Sequence, residues 1–394
     1  MKKKNLLVIL LVILITYDNY GQQSTNENRV ITPSLPFLLI AADSRSAGMA
    51  DMGVATSVDA FSQQFNAAKY VFSETKSGIG LAYTPYLREL VNDINIGQLT
   101  YFNRINDRSA FAGSLRYFSF GDVELRDDAE QLPRTVGPNN LSFDVSYSLR
   151  LSEQFSMAVT GRYIRSDQRI PGLDGDATAA NSFAADISAF YQSEEIFYRD
   201  FNGRWRAGAA ITNIGPKIRF DDAGQENYIP TNLRLGGGFD FILDMSNRIG
   251  IYAEFNKLLV PTPPEVLRDE QGNLTEEYLQ DLEDYRTGDP FSGMINSFSD
   301  APDGFSEELK EITWALGAEY WFEDAFAFRV GYFHESEEKG FRQYLTLGAG
   351  FNFNAITIDA SYLFSTAPAV VSPLEGTLRF GLTFNFGEDT YIEY

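Results

Sequence analysis

The chain has no cysteine, one histidine, no long apolar run beyond residue 15 and far fewer basic than acidic residues. Each absence excludes something. Without cysteine there is no disulfide framework, no thiol nucleophile, no soft metal ligand and no lipid-anchored N-terminal cysteine. The single histidine, His334, falls near the end of an expected strand, so no Ser-His-Asp arrangement rises above background and no catalytic residue is assigned. A charge of −22, from 32 Lys+Arg against 54 Asp+Glu, lacks the basic patches that nucleic acid requires, and many of the acids fall in loop-like stretches such as 127–130 and 269–284. The stretch "GMADMG" neither follows a strand nor opens a long helix, so it is no phosphate loop, and no cofactor is expected. "GLDGDATAAN" carries Asp174 and Asp176 but not the ligand periodicity of a calcium loop; it reads as a solvated loop, and no metal is assigned.

The missing apolar runs bear most on class. A run of about 18 apolar residues is needed for a spanning helix, and none occurs after residue 15. A chain integral to a membrane would then have to be a closed barrel, the other fold that satisfies every backbone group in lipid.

What is present agrees with that alternative. The opening "MKKKNLLVILLVILITYDNYGQQ" sets three lysines before an apolar run over 6–15, too short to span, and reads as a signal peptide (1–21) cleaved before Gln22. Aromatic residues make up 14%, with 32 Phe and 21 Tyr, which suits outward rings and interfacial girdles.

Near the other end, "GTLRFGLTFNF" alternates without a fault: Leu378, Phe380, Leu382, Phe384 and Phe386 share one face, and Thr377, Arg379, Gly381, Thr383 and Asn385 the other. "LSFDVSYSLRLS", "QYLTLGAGFNF" and "ITIDASYLF" repeat the pattern. The same template predicts about 14 strands, at 79–87, 93–105, 109–121, 140–151, 155–168, 182–194, 203–214, 231–243, 248–259, 310–323, 325–336, 341–353, 355–365 and 376–387. Most are as long as tilted transmembrane strands. Connections after even-numbered strands are mostly tight, and those after odd-numbered strands are often long, as in outer-membrane barrels with short periplasmic turns and longer outer loops. The last strand is expected to pair with the first, and 388–394 to form a periplasmic tail.

Residues 22–76 precede the barrel (77–387). Their small residues and short apolar runs predict irregular structure with one brief helix around 58–70, placed in the lumen as a plug. Two outer loops stand out. Loop 260–309 contains a charged stretch, 276–286, with short-helix character, and then "DPFSGMINSFSD", offering Phe291, Met294, Ile295 and Phe298. Loop 366–375 offers Val370, Val371 and Leu374 between prolines. Either the loops fold inward to close the barrel mouth or these side chains meet a partner.

The segment "PFLLIAADSRSAGMADMGVATSVDAFSQQFNAAKY", followed by "YTPYLRELVNDINIGQLTYFNRINDRSAFAGSLRYFSFGDVELR", resembles the PorV family of the Bacteroidetes type IX secretion system. The likeness extends over the mature chain and is densest over 36–126. It implies an all-β, transmembrane antiparallel barrel of about 14 strands with an N-terminal luminal hatch, similar to the FadL-type channels, integral to the cell outer membrane and its lipid. One departure is Asn66-Ala67-Ala68, where related hatches often carry Asn-Pro-Ala. The resemblance implies no enzyme but a shuttle. Such a protein associates with a SprA-like translocon, receives cargo bearing a C-terminal secretion domain and passes it to a PorU-like sortase complex. Phe291, Met294, Ile295, Phe298, Val370 and Val371 are then the expected partner contacts. The alternative is a FadL-like passive channel, with an apolar pocket lined by hatch residues Phe37, Leu38 and Leu39.

Overall fold

The computed structural model describes residues 29–88, 91–125, 134–168, 179–220, 225–269, 271–367 and 372–387. Fourteen long antiparallel strands close into one barrel. They are β1 Ser77–Pro85, β2 Asn95–Asn106, β3 Ser109–Ser119, β4 Asn139–Arg150, β5 Phe155–Asp167, β6 Ala180–Gln192, β7 Phe201–Ile214, β8 Asn232–Ile242, β9 Asn247–Leu258, β10 Thr313–Phe322, β11 Phe326–His334, β12 Gln343–Phe353, β13 Ile356–Ser365 and β14 Leu378–Phe386. Closure is made where expected: Ser77 pairs with Phe386 and Tyr83 with Phe380 across β1 and β14. Every long strand overlaps a stretch the alternation marks. β10 begins later than the pattern suggests because a helix over Phe305–Lys310 runs into the segment before it. Two short pieces escape the pattern: a hairpin pairing Val123–Leu125 with Arg134–Val136, and a strand over Ile196–Tyr198 that folds back on the start of β7.

Burial is inverted relative to a soluble β-protein. On β4, Phe143 and Val145 are 50% and 49% exposed, while Ser142 and Asp144, which alternate with them, are 1% exposed. The same inversion runs around the wall, so the apolar face looks outward and the polar face inward, as lipid outside and protein inside require. Among the described residues no helix is long and apolar enough to cross a membrane.

The lumen is filled by residues 33–73, a hatch of single turns: 3₁₀ turns over Pro36–Leu38, Ser62–Gln64 and Ala67–Phe72, and α1 over Ser44–Ala47. The helix expected around 58–70 is therefore two 3₁₀ pieces, because this part of the chain is anchored side to side by the wall. Backbone this irregular has no ladder of its own, and the inward polar face supplies partners instead. Glu254 accepts from Gly53 N and Val54 N at 2.8 and 2.9 Å, Ser148 and Ser156 donate to the carbonyls of Ala67 and Ala68 at 2.7 Å each, and Thr84 donates to Ala42 O at 3.0 Å. Glycines let hatch and wall approach: a Cβ at Gly208 would lie 2.0 Å from Val54 O, and one at Gly331 2.4 Å from Ala50 N. The chain enters at the end bearing the long loops, where Ser34 N donates to Tyr228 O at 2.8 Å, and leaves at the tight-turn end to begin β1.

Candidate functional site

Two regions hold the expected site residues: the hatch, and the long-loop end of the barrel over residues 259–312.

In the hatch, Phe37 and Leu38 are buried in an apolar cluster with Phe61, Ile96, Phe118 and Ile164. Leu39 faces a cavity of about 290 Å³, whose other walls include Asp51, Arg234, Glu335, Lys339 and Arg342. Asn66 caps the last 3₁₀ turn, its Oδ1 accepting from Ala68 N at 3.1 Å and its Nδ2 donating to the carbonyls of Val54 and Ala189, both at 2.9 Å. Ala67 sits at the first position of that turn. There proline is well tolerated but not needed, so its replacement leaves the turn intact.

Charged side chains fix the hatch laterally. Arg45 of α1 meets Glu319 of β10 with two hydrogen bonds and Asp59 with a third at 2.7 Å. Glu319 also accepts from Arg329 of β11 at 2.7 Å, and Arg329 reaches Asp359 of β13 at 2.6 Å. Arg379 of β14 holds Asp51 at 2.6 Å. Spacing along the chain gives no sign of these pairs, whose members lie up to 328 residues apart.

At the outer mouth, three helices fold from the loop after β9: α2 Glu276–Thr287, α3 Pro290–Asn296 and α4 Phe305–Lys310. The first matches the charged stretch with helical character. Thr275 caps it, and Gly288 ends it. Asp289 then caps α3 with Pro290 in the first turn.

The loop is held at two points. On one side Tyr285 packs on Tyr228 with ring centres 5.6 Å apart, and Lys217 donates to Arg286 O at 2.8 Å. On the other, three cations from three different elements converge on the glutamates of α4. Arg29 binds Glu307 at 2.8 Å, Lys339 binds Glu307 and Glu311 at 2.6 and 2.9 Å, and Lys257 of β9 binds Glu308 and Glu311 at 2.9 and 2.7 Å. Burial alone would raise the Glu307 carboxyl; hydrogen bonds from Arg29 and Lys339 hold it down to about 2. Burial pushes Asp300 up to about 6, despite the hydrogen bond it accepts from Thr262 N at 3.2 Å.

Held this way, the loop turns its apolar side chains outward. Phe291, Ile295 and Phe298 are 60%, 74% and 51% exposed, and Met294 is half-buried. Phe305 and Leu309 join them at 76% and 53%. These two escaped attention in a segment that reads as charged, although "FSEELKE" sets them four apart, opposite Glu307, Glu308 and Glu311. The loop is also strongly acidic: 259–312 carries 14 acidic and 3 basic residues, half of the chain's formal charge of −22. Of the second loop, Leu374 turns inward against the cluster that contains Met49 and Tyr344, while Val370 and Val371 lie outside the described residues, as do residues 1–28, where the signal peptide is expected, and 388–394. Among the described residues no group of three or more His, Cys, Asp or Glu is placed to hold a metal.

Comparison with known proteins places this geometry. The family model described as "Type IX secretion system protein PorV" matches residues 23–265, more than half of the chain. Among curated proteins none matches. Solved structures of similar fold include the Pseudomonas putida toluene transporter TodX, at 10% identity and a TM-score of 0.50, covering 88% of this chain and 99% of that one. The Ralstonia pickettii toluene transporter TbuX is 12% identical with a TM-score of 0.47, covering 89% and 100%. A Pseudomonas aeruginosa FadL homologue is 11% identical with a TM-score of 0.44, covering 88% and 99%.

Proposed function

The chain belongs to the PorV family of type IX secretion system proteins, and from that premise we propose that it is the outer-membrane shuttle of that system. It receives cargo with a C-terminal secretion domain at a SprA-like translocon and passes it to a PorU-like sortase complex. It does this by binding and release, without chemistry of its own. The observation that carries this reading is the outer loop. Five large apolar side chains stand exposed on or beside two short helices of this loop, the second of which is clamped from beneath by buried ion pairs. A protein rarely exposes such a patch without a partner, and clamping lowers the entropy lost when one binds. Phe291, Ile295 and Phe298, with Met294 beside them and Phe305 and Leu309 beyond, are the proposed anchors; Val370 and Val371 are kept as further contacts. A filled, tied lumen serves a shuttle, which must hold its barrel shut while cargo is exchanged outside.

The test is to replace Phe291, Ile295 and Phe298 together with serine and follow secretion of proteins bearing the C-terminal domain. The expected outcome is secretion reduced at least about tenfold, corresponding to about 1.4 kcal/mol of lost binding, with normal barrel levels in the outer membrane. Undiminished secretion would remove this assignment of the surface. Uptake of a labelled fatty acid by deletion and complemented cells is the companion measurement: a shuttle leaves it unaltered, and a FadL-like channel does not.

A further inference from the structure

On one part of the lipid-facing wall a row of small side chains is enclosed by bulky ones. Ala207, Gly237 and Ala253 lie side by side in register on β7, β8 and β9, all on the outward face. The neighbouring rows carry more bulk: Trp205, Phe239 and Ile251 toward the periplasmic end, and Leu235 and Phe255, beside Ala209, toward the outer end. The result is a recess of about 820 Å³. Its periplasmic rim is aromatic, with Trp205 packed on Phe239 and Phe239 on Phe241 at 4.6 Å each, and the Trp205 indole N–H donating to the Tyr198 hydroxyl at 3.3 Å. Rings with a polar edge of this kind settle at the level of lipid headgroups.

The geometry points to this recess as a seat for one acyl chain of an inner-leaflet phospholipid. The recess opens out of the surface that already faces lipid, from mid-strand on β8 to the periplasmic end of β7. Arg206, the one charged residue among those lining it, turns into the lumen to pair with Asp240 and Gln192. The other polar lining groups are also engaged: the Trp205 indole with the Tyr198 hydroxyl at the rim, and the Tyr252 hydroxyl with Asp240 on the luminal side. A peptide segment lying there would leave backbone groups unsatisfied in hydrocarbon, whereas an acyl chain has none to satisfy.

The experiment uses the full-length protein in nanodiscs of phosphatidylethanolamine with a diazirine in one acyl chain, photolysed and mapped by mass spectrometry. Adducts on 235–255 should exceed those around Tyr147, where Phe111, Tyr147 and Val159 stand in register as a row of large side chains, by about fourfold, the preference expected from roughly one extra buried methylene. Gly237→Leu should bring them down to the Tyr147 level. A Cβ at Gly237 has only Arg206 O near it, at 3.8 Å, so this variant keeps the wall intact, and unchanged heat-modifiable mobility on gels will show that it has folded. Equal labelling of the two stretches, or labelling unaffected by Gly237→Leu, overturns the proposal. So does stronger labelling of 235–255 from diazirine-bearing lipid A than from the phospholipid. In cells, Leu235→p-benzoylphenylalanine should yield a lipid-sized adduct. A cross-link to another protein would make the recess a protein interface and overturn the lipid assignment.

Discussion

Arg45 and Glu319 face each other inside the barrel as a two-pronged pair, Nε to Oε1 at 2.9 Å and Nη2 to Oε2 at 2.8 Å, joining hatch to wall where both side chains are buried. Parallel bonds of this kind fix orientation as well as distance. The hatch is thus held by directed charges and not by apolar packing alone, which separates a fixed plug from a loose one.

Removing Arg45 leaves buried Glu319 with Arg329 alone and takes the guanidinium from Asp59, at a cost of about 3 kcal/mol, the lower end for a broken buried pair. Arg45→Ala should therefore loosen the hatch, lower the temperature of heat-modifiable unfolding and raise ion conductance in planar bilayers above the wild-type level. Replacing both, as Arg45→Met with Glu319→Leu, should be milder. Conductance of Arg45→Ala equal to wild type would show that the pair does not hold the plug.

Close approach gives a second test of the same packing. At Gly331 a methyl group would stand 2.4 Å from Ala50 N, so even Gly331→Ala must displace the hatch backbone, costing about 1–3 kcal/mol. Gly161, where a Cβ meets nothing within 4 Å, is the control, and its alanine variant should melt like wild type.

The outer clamp should depend on its cations more than on mild acid. Arg29→Ala removes one of the three cations on α4, and limited proteolysis of intact cells should then cut within 259–312 faster than in wild type. Glu307 has its folded value depressed to about 2, so its contribution is present at neutral pH and disappears only as the pH falls toward that value.

Asp300 behaves in the opposite sense. Its folded value is raised to about 6 from an ordinary 3.8, so it favours the folded loop when protonated and loses that contribution as the pH rises through 6. The loop should resist protease slightly better at pH 5 than at pH 7.5, and Asp300→Asn should abolish the difference. A difference that survives Asp300→Asn would assign the effect to another group.

The barrel was legible in the sequence because alternation is local. Leu141 to Leu149 on β4 and the stretch from Leu378 to Phe386 declare their two faces within a few residues. The parity of loop lengths gave the two ends for the same reason. What holds the hatch was not legible, since Arg45 with Glu319 and Asp51 with Arg379 are joined only by the closed barrel. The strand over Ile196–Tyr198 was missed because three residues carry no periodicity. The candidate surface was found in part. Phe291, Ile295 and Phe298 stood out in an otherwise polar stretch, while Phe305 and Leu309 were hidden by the glutamates that turn out to anchor their helix.

The shuttle account is tested most directly by affinity purification of a tagged form from native membranes in mild detergent, with mass spectrometry of what accompanies it. The account predicts a very large outer-membrane protein, a sortase-like protein and secreted proteins sharing a C-terminal domain, with the cargo lost from the Phe291, Ile295 and Phe298 serine variant. Recovery of the barrel with lipid and no protein partner would contradict it.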